Sequence, residues 1–241
     1  MPVTAGPIYP GIKKGLIFAI DPARKDSYPG SGATVVDLVN GNTTTASSSP
    51  TFNSNGYWEF DTPSDDFIFS TNPLYENSIT SFTLSTWINI TLSDHNGGVG
   101  VMAATAPGAN PASGGFWMGY DDRNATHSPV EGIAWNCKTA SGYQRGKSNN
   151  NAISNNTWHN VTLVLDNQAT LYIDGVSSTN RTQDSSGNYS TVNNEFSIGS
   201  IDDSSYDYIG LLSTLILYNR ALSPSEVTQN YNRLKGRFGL S

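Results

Sequence analysis

Apolar residues in this chain come in short runs bounded by Gly, Pro, Asn or Asp, a pattern that points to antiparallel strands joined by tight turns. The first run is GLIFAI (15–20). GYWEF (56–60) and DFIFS (66–70) flank residues 61–65 and read as a hairpin. SFTLSTWINI (81–90) alternates, with Phe82, Leu84, Ile88 and Ile90 on one face and Thr83, Ser85, Trp87 and Asn89 on the other. VGVMAA (99–104), GFWMGY (115–120) and GIAWNC (132–137) follow. In WHNVTLVLDNQATLYIDGV (158–176), Val161, Leu163 and Leu165 alternate before a turn at Asp166-Asn167-Gln168. Leu171 and Ile173 then return toward an Asp174-Gly175 turn. EFSIGS (195–200) and GLLSTLILY (210–218) complete the set. Around ten or more short strands at such spacing predict an all-β sandwich of two stacked antiparallel sheets. The composition agrees: 37% hydrophobic and 14% charged residues with 23 Gly suit strands and polar turns. No repeat period or internal break is visible, so 241 residues read as one domain.

The exception comes last, in LSPSEV (222–227). Ser223 is placed to accept a hydrogen bond from a free N–H of a first helical turn, Glu226 to reach back to the Ser223 N–H, and Pro224 sits where no N–H is needed. Leu222 and Val227 flank this capping box as a hydrophobic staple. Val227, Tyr231 and Leu234 recur at helical spacing, and Gly236 is a stop signal. The spacing predicts one helix over 224–235, too short to stand alone and therefore docked on the sandwich.

A net charge of −7 and a pI near 4.8 argue against nucleic acid as a partner, because that affinity rests on Lys and Arg neutralising phosphates. One cysteine, Cys137, excludes an intramolecular disulfide. No apolar run reaches the roughly 20 residues of a membrane-spanning helix, and the first residues lack the apolar middle of a signal peptide. The expected setting is synthesis in a cytoplasm without membrane insertion, and the N-x-S/T sequons are read as chance in an Asn- and Ser-rich chain. Residues 1–14, rich in Pro and Gly, read as an arm that makes an assembly contact, ahead of a domain over 15–241.

GLIFAIDPARKDSYPGSG, YWEFDTPSDDFI, FTLSTWINI, WHNVTLVLDNQATLYIDGV, FSIGS and GLLSTLILYNRALSPSEVTQNYNRLKGRFG occur in an order that resembles the concanavalin A-like, laminin-G-like jelly-roll family. The YNRALSPSEV ending is similar to laminin-G-like domains in virion proteins of tailed bacteriophages, including those of marine cyanobacteria. The resemblance runs from Gly15 onward. It implies a jelly roll with a C-terminal helix packed across it, and a non-enzymatic accessory or adhesive role on a virus particle.

The candidate chemistry is sparse. Glycosidases of this fold carry carboxylates as E-x-D-x-E or E-x-D-x-x-E on one strand, and Glu59, Glu76, Glu131, Glu195 and Glu226 form no such motif. Glu59 and Asp61 share a strand face without a third carboxylate. Cys137 reads as a small apolar packer, and His95, His127 and His159 show no pairing, His159 reading as a strand-surface residue. No catalytic residue is expected. A structural calcium, which laminin-G-like folds often bind, has candidate ligands in Asp61, Asp65, Asp66, Asp202 and Asp203; the favoured reading of these residues is as turn formers and solvated charges of an acidic protein. Sugars stack on aromatic faces and hydrogen-bond to amides, carboxylates and Arg. GFWMGYDDRN offers Trp117, Tyr120, Asp121 and Arg123, and SGYQRGK offers Tyr143 and Arg145, against the alternative that such aromatics pack within sheets.

The leading expectation is thus a virion protein that decorates a phage head or tail through contacts with other virion subunits, with a homo-oligomer as a reasonable form. The alternative is an adhesin that binds host surface polysaccharide. A polysaccharide hydrolase stands a distant third.

Overall fold

The structure is a computed structural model that describes residues 11–44, 50–62, 65–76, 79–91, 99–105, 115–121, 132–149, 151–184, 187, 189, 195–201 and 206–241, with backbone only at 76, 99, 101 and 181–184. In chain order the elements are β1 (Leu16–Ile20), β2 (Thr51–Asn53), β3 (Tyr57–Phe60), β4 (Phe67–Phe69), the single turn α1 (Pro73–Glu76), β5 (Phe82–Asn89) and β6 (Val99–Ala104). Next are β7 (Phe116–Asp121), β8 (Gly132–Thr139), β9 (Gly142–Lys147), β10 (Trp158–Leu165), β11 (Ala169–Ile173), β12 (Val176–Ser177) and β13 (Asn180–Asp184). The chain ends with β14 (Phe196–Ile198), β15 (Gly210–Tyr218), α2 (Pro224–Leu234) and a 3-10 turn (Lys235–Phe238).

Among the described residues the strands form two antiparallel sheets. The larger runs β12-β11-β10-β5-β15-β3-β2, with β1 also paired to β15; the smaller runs β13-β9-β8-β7-β6-β14-β4. This is the all-β sandwich that the strand pattern predicts, in the jelly-roll form that the family resemblance implies. β15 holds its middle: it pairs β5 along one side, and β3 then β1 along the other. GYWEF and DFIFS, expected as a hairpin, instead lie in different sheets. The chain crosses between sheets at a tight polar corner, where Asp65 Oδ2 accepts the N–H groups of Asp61 and Thr62, both at 3.1 Å. Trp58, Phe60, Phe67 and Phe69 on either side of that corner all turn into one core with Phe18, Leu84, Met118, Trp135, Leu163 and Phe196. Burial of such side chains is worth about 1.5–3 kcal/mol each and drives the two layers together.

A second apolar layer covers the outward face of the larger sheet. The expected capping box is present, with Glu226 N–H donating to Ser223 Oγ and Ser223 N–H donating to Glu226 Oε2. It starts α2 so that Val227 and Leu234 pack beside Trp158, Ile216 and Tyr218. Trp87, on the less apolar face of β5, is stacked on Phe238 with ring centroids 4.0 Å apart. The polar residues of that face are buried too and satisfy each other: Ser85 Oγ lies 2.8 Å from Thr162 Oγ1, and Asn160 Nδ2 donates to Ser85 Oγ. Residues 11–14 cross the same helix, where Asn230 Oδ1 accepts Ile12 N–H and Tyr218 Oη donates to Ile12 O. The remainder of the proposed N-terminal arm lies outside the described residues.

Arg237 fastens the C-terminal turn. It is buried, pairs with Asp21 at 2.8 Å, and donates to Gly56 O and Ser213 Oγ. Among the described residues no helix is long and apolar enough to cross a membrane.

Candidate functional site

Strands β7, β8 and β9 alternate so that each sends every second side chain away from the core. Phe116, Met118 and Tyr120 face inward with Ile133, Trp135 and Cys137. Trp117, Asn136 and Arg145 face outward and sit directly opposite one another across the three strands. The next outward pair is Lys138 opposite Tyr143. Close packing at Gly146 makes this arrangement possible, since a Cβ there would stand 2.3 Å from the Trp135 ring and 2.5 Å from Asn180 O.

Charge on this face is divided. Asp121 and Lys147 are both buried and paired at 3.1 Å, so neither is offered to a ligand. Lys138 Nζ and Arg145 Cζ instead lie over the Tyr143 ring, 4.3 and 4.5 Å from its centroid. The electron-rich π system of the phenol attracts both cations. Neither has a carboxylate partner among the described residues. Two buried polar atoms of the central row also lack a hydrogen-bond partner: Asn136 Oδ1 and Arg145 Nε. Asn136 is only 4% exposed, whereas Lys138, Tyr143 and Arg145 reach the surface. The arrangement is a polar and cationic patch with unused hydrogen-bonding capacity beneath it.

The sugar-binding candidates are therefore divided among three environments. Tyr143 and Arg145 are brought together on this face. Trp117 shares the face but is packed against Ala104, Ala134 and Ile201, which leaves its ring only 8% exposed and unavailable as a stacking platform. Tyr120 is in the core and unexposed, a correction to its reading as a sugar contact: its position differs in parity from Trp117 and Asp121, so the strand turns it inward. Arg123 lies outside the described residues. Asn136 and Lys138, which complete the patch, were missed because only the register of β8 with β7 and β9 brings them there.

The calcium candidates are only partly among the described residues. Asp65 is occupied in capping the corner at Asp61 and Thr62, Asp61 is exposed, Asp66 is buried, and Asp202 and Asp203 lie outside the described residues. Among the described residues no three His, Cys, Asp or Glu side chains converge as a metal site. Cys137 is buried in the core, and burial pushes its thiol pKa far up. His159 is not a strand-surface residue. It is buried, with Nδ1 2.7 Å from Asp174 Oδ2 and Nε2 accepting Ser154 N–H, so both ring nitrogens are committed to the fold. His95 and His127 lie outside the described residues.

Residues 61–228 match the family described as the Concanavalin A-like lectin/glucanases superfamily. The chain belongs to that superfamily. Among curated proteins no sequence relative matches. Similar solved structures include the receptor-binding domain of botulinum neurotoxin C/D mosaic serotype, with a TM-score of 0.65 at 15% identity, covering 92% of this chain and 52% of that one. The botulinum neurotoxin serotype D ligand-binding domain in complex with N-acetylneuraminic acid matches with a TM-score of 0.63 at 13% identity, covering 90% and 50%. Trypanosoma rangeli sialidase in complex with sialic acid matches with a TM-score of 0.62 at 15% identity, covering 100% and 37%. This superfamily member thus spans about half or less of the solved structures it matches, and at these identities the likeness is one of fold.

Proposed function

We propose that this chain is a non-catalytic carbohydrate-binding domain that holds a saccharide on the outward face of β8 and β9, over Lys138, Tyr143 and Arg145. The observation that carries this reading is the row in which Asn136 Oδ1 and Arg145 Nε are buried without partners beside two surface cations. A protein that needed only a stable sheet would gain by filling those positions with apolar or mutually paired groups. Sugar hydroxyls would bond to the surface ends of Lys138, Tyr143 and Arg145, and rotation of the Asn136 and Arg145 side chains on binding would bring the two buried atoms to them. The fold is compatible with such a ligand, since two of its structural neighbours were solved with sialic acid or N-acetylneuraminic acid.

Hydrolysis is not part of the proposal. Retaining and inverting glycosidases need an acid and a second carboxylate facing one bond. Asp121, the carboxylate of this face, is buried and held by Lys147. By the resemblance of its C-terminal segment, the domain's setting is the surface of a bacteriophage particle, where it serves as an adhesin for host polysaccharide. Decoration of the particle through protein contacts alone takes second place, because it gives the two unpartnered atoms no role.

Screening the isolated protein on an array of bacterial and animal glycans tests the reading. Binding that is lost in Tyr143→Ala and Arg145→Gln, with no release of reducing ends, is the expected result. An empty array, combined with fixed-stoichiometry co-purification with particles, would replace it with the decorating role.

A further inference from the structure

Resting on the reading of this face as a sugar site, we infer that the bound saccharide carries a carboxylate, received by Arg145 and Lys138. Arg24, Arg220, Arg237 and Lys147 each face a carboxylate of the protein, Asp26, Glu226, Asp21 and Asp121. Arg145 is half-buried and faces none among the described residues, in a chain whose net charge is −7. Acidic side chains are plentiful, yet the residue directly opposite Arg145 is Asn136, a neutral amide. An aspartate in that position would close the guanidinium internally. The amide leaves its charge uncompensated.

The chemistry favours an anion. A guanidinium grips a carboxylate with two parallel N–H donors, and the edge that includes Nε is one of the two that do so. Arg145 Nε is the atom left without an acceptor. Lys138 Nζ, over the same Tyr143 ring, adds a second positive charge beside that aromatic. Tyr143 thus serves as the platform for the two cations rather than as a stacking surface for the sugar ring. A neutral saccharide would leave both charges unanswered.

Isothermal titration with sialyllactose and a galacturonate trimer, each beside its carboxyl-reduced counterpart, and with sulfated lactose, tests this in the full chain. The expected result is that at least one carboxylated sugar binds. Its carboxyl-reduced form should bind about tenfold more weakly or worse, as loss of one charge-assisted contact implies. Arg145→Gln and Lys138→Gln should each remove that preference while melting like the parent protein. Asn136→Asp should remove it as well, by pairing Arg145 from within. Equal binding of carboxylated and reduced forms, or a preference for sulfated lactose, overturns the carboxylate and leaves the sugar site standing. Binding of none of these sugars overturns the carboxylate inference; if the broad glycan array is then also empty, the sugar site falls with it.

Discussion

Arg220 and Glu226 form a two-pronged ion pair, Nη2 to Oε1 at 2.6 Å and Nη1 to Oε2 at 2.8 Å, and the same Glu226 Oε2 accepts the Ser223 N–H at 2.9 Å. The carboxylate therefore joins the residues just after β15 to the first turn of α2. Arg220 extends the tie by donating to Lys14 O at 3.0 Å, so the entering chain, the last strand and the helix meet at one charged group.

Strong acid should weaken this junction. The Arg220 guanidinium, helped by the Ser223 N–H, pulls the Glu226 pKa down to about 2. A folded-state value below the unfolded one means stability that is present above the ordinary carboxylate range and lost as pH falls toward about 2. Between roughly pH 5 and 2 the protein should lose stability less steeply as Glu226→Gln than as the parent, in urea titrations followed by circular dichroism. The pair is partly exposed, so its contribution is about 0.5–1 kcal/mol. Ser223→Ala should cost about 1 kcal/mol through the lost cap.

Breaking the Asp21–Arg237 pair from one side should be far more damaging. Both side chains are almost fully buried, and Arg237→Met leaves the Asp21 charge without its cation. A loss of about 3–5 kcal/mol is expected in chemical denaturation, with part of it restored in the Asp21→Asn/Arg237→Met double variant. A wild-type-like midpoint for Arg237→Met would contradict the buried pair.

Phe238→Ala should cost about 3–5 kcal/mol and redden the tryptophan emission, because it uncovers Trp87 and Trp158 together. The same readout in Tyr143→Ala should stay at the parent value, since Tyr143 touches neither indole of that cluster.

Asn136→Leu separates stability from binding. Removing a buried acceptor that has no partner should leave stability within about 1 kcal/mol of the parent, or raise it. Saccharide binding should fall, because the amide sits directly beside Arg145. Equal loss of stability and binding would mean that the amide is structural.

What could be read from the amino acids was whatever is local. The cap at Ser223 and Glu226 and the alternation in β5 and β10–β11 depend on neighbours within a few residues, and each is found in place. The corner at Asp65 was misread because two strands joined by five residues look alike whether they pair or part; the direction of the apolar faces decides, and that is set by the core. The site was only half legible for the same reason. Parity within FWMGYD separates Trp117 and Asp121 from Tyr120, a signal present in the sequence and not used. By contrast, the meeting of Asn136 with Arg145 depends on the register of β8 and β9, which no local feature announces. The partner of His159 was accessible: pairing of Val161 with Ile173 in a hairpin brings residue 159 to the Asp174-Gly175 turn.

The central place of β15 has a consequence for how the chain is made. Until residues 210–218 emerge from the ribosome, β5 lacks its neighbour on one side, and β1 and β3 lack the strand they pair with. Nascent chains must therefore wait, with several apolar ribbons unsatisfied, until that strand has been made. Closure of the larger sheet consequently rests on pairings between distant parts of the sequence and cannot proceed stepwise from β1.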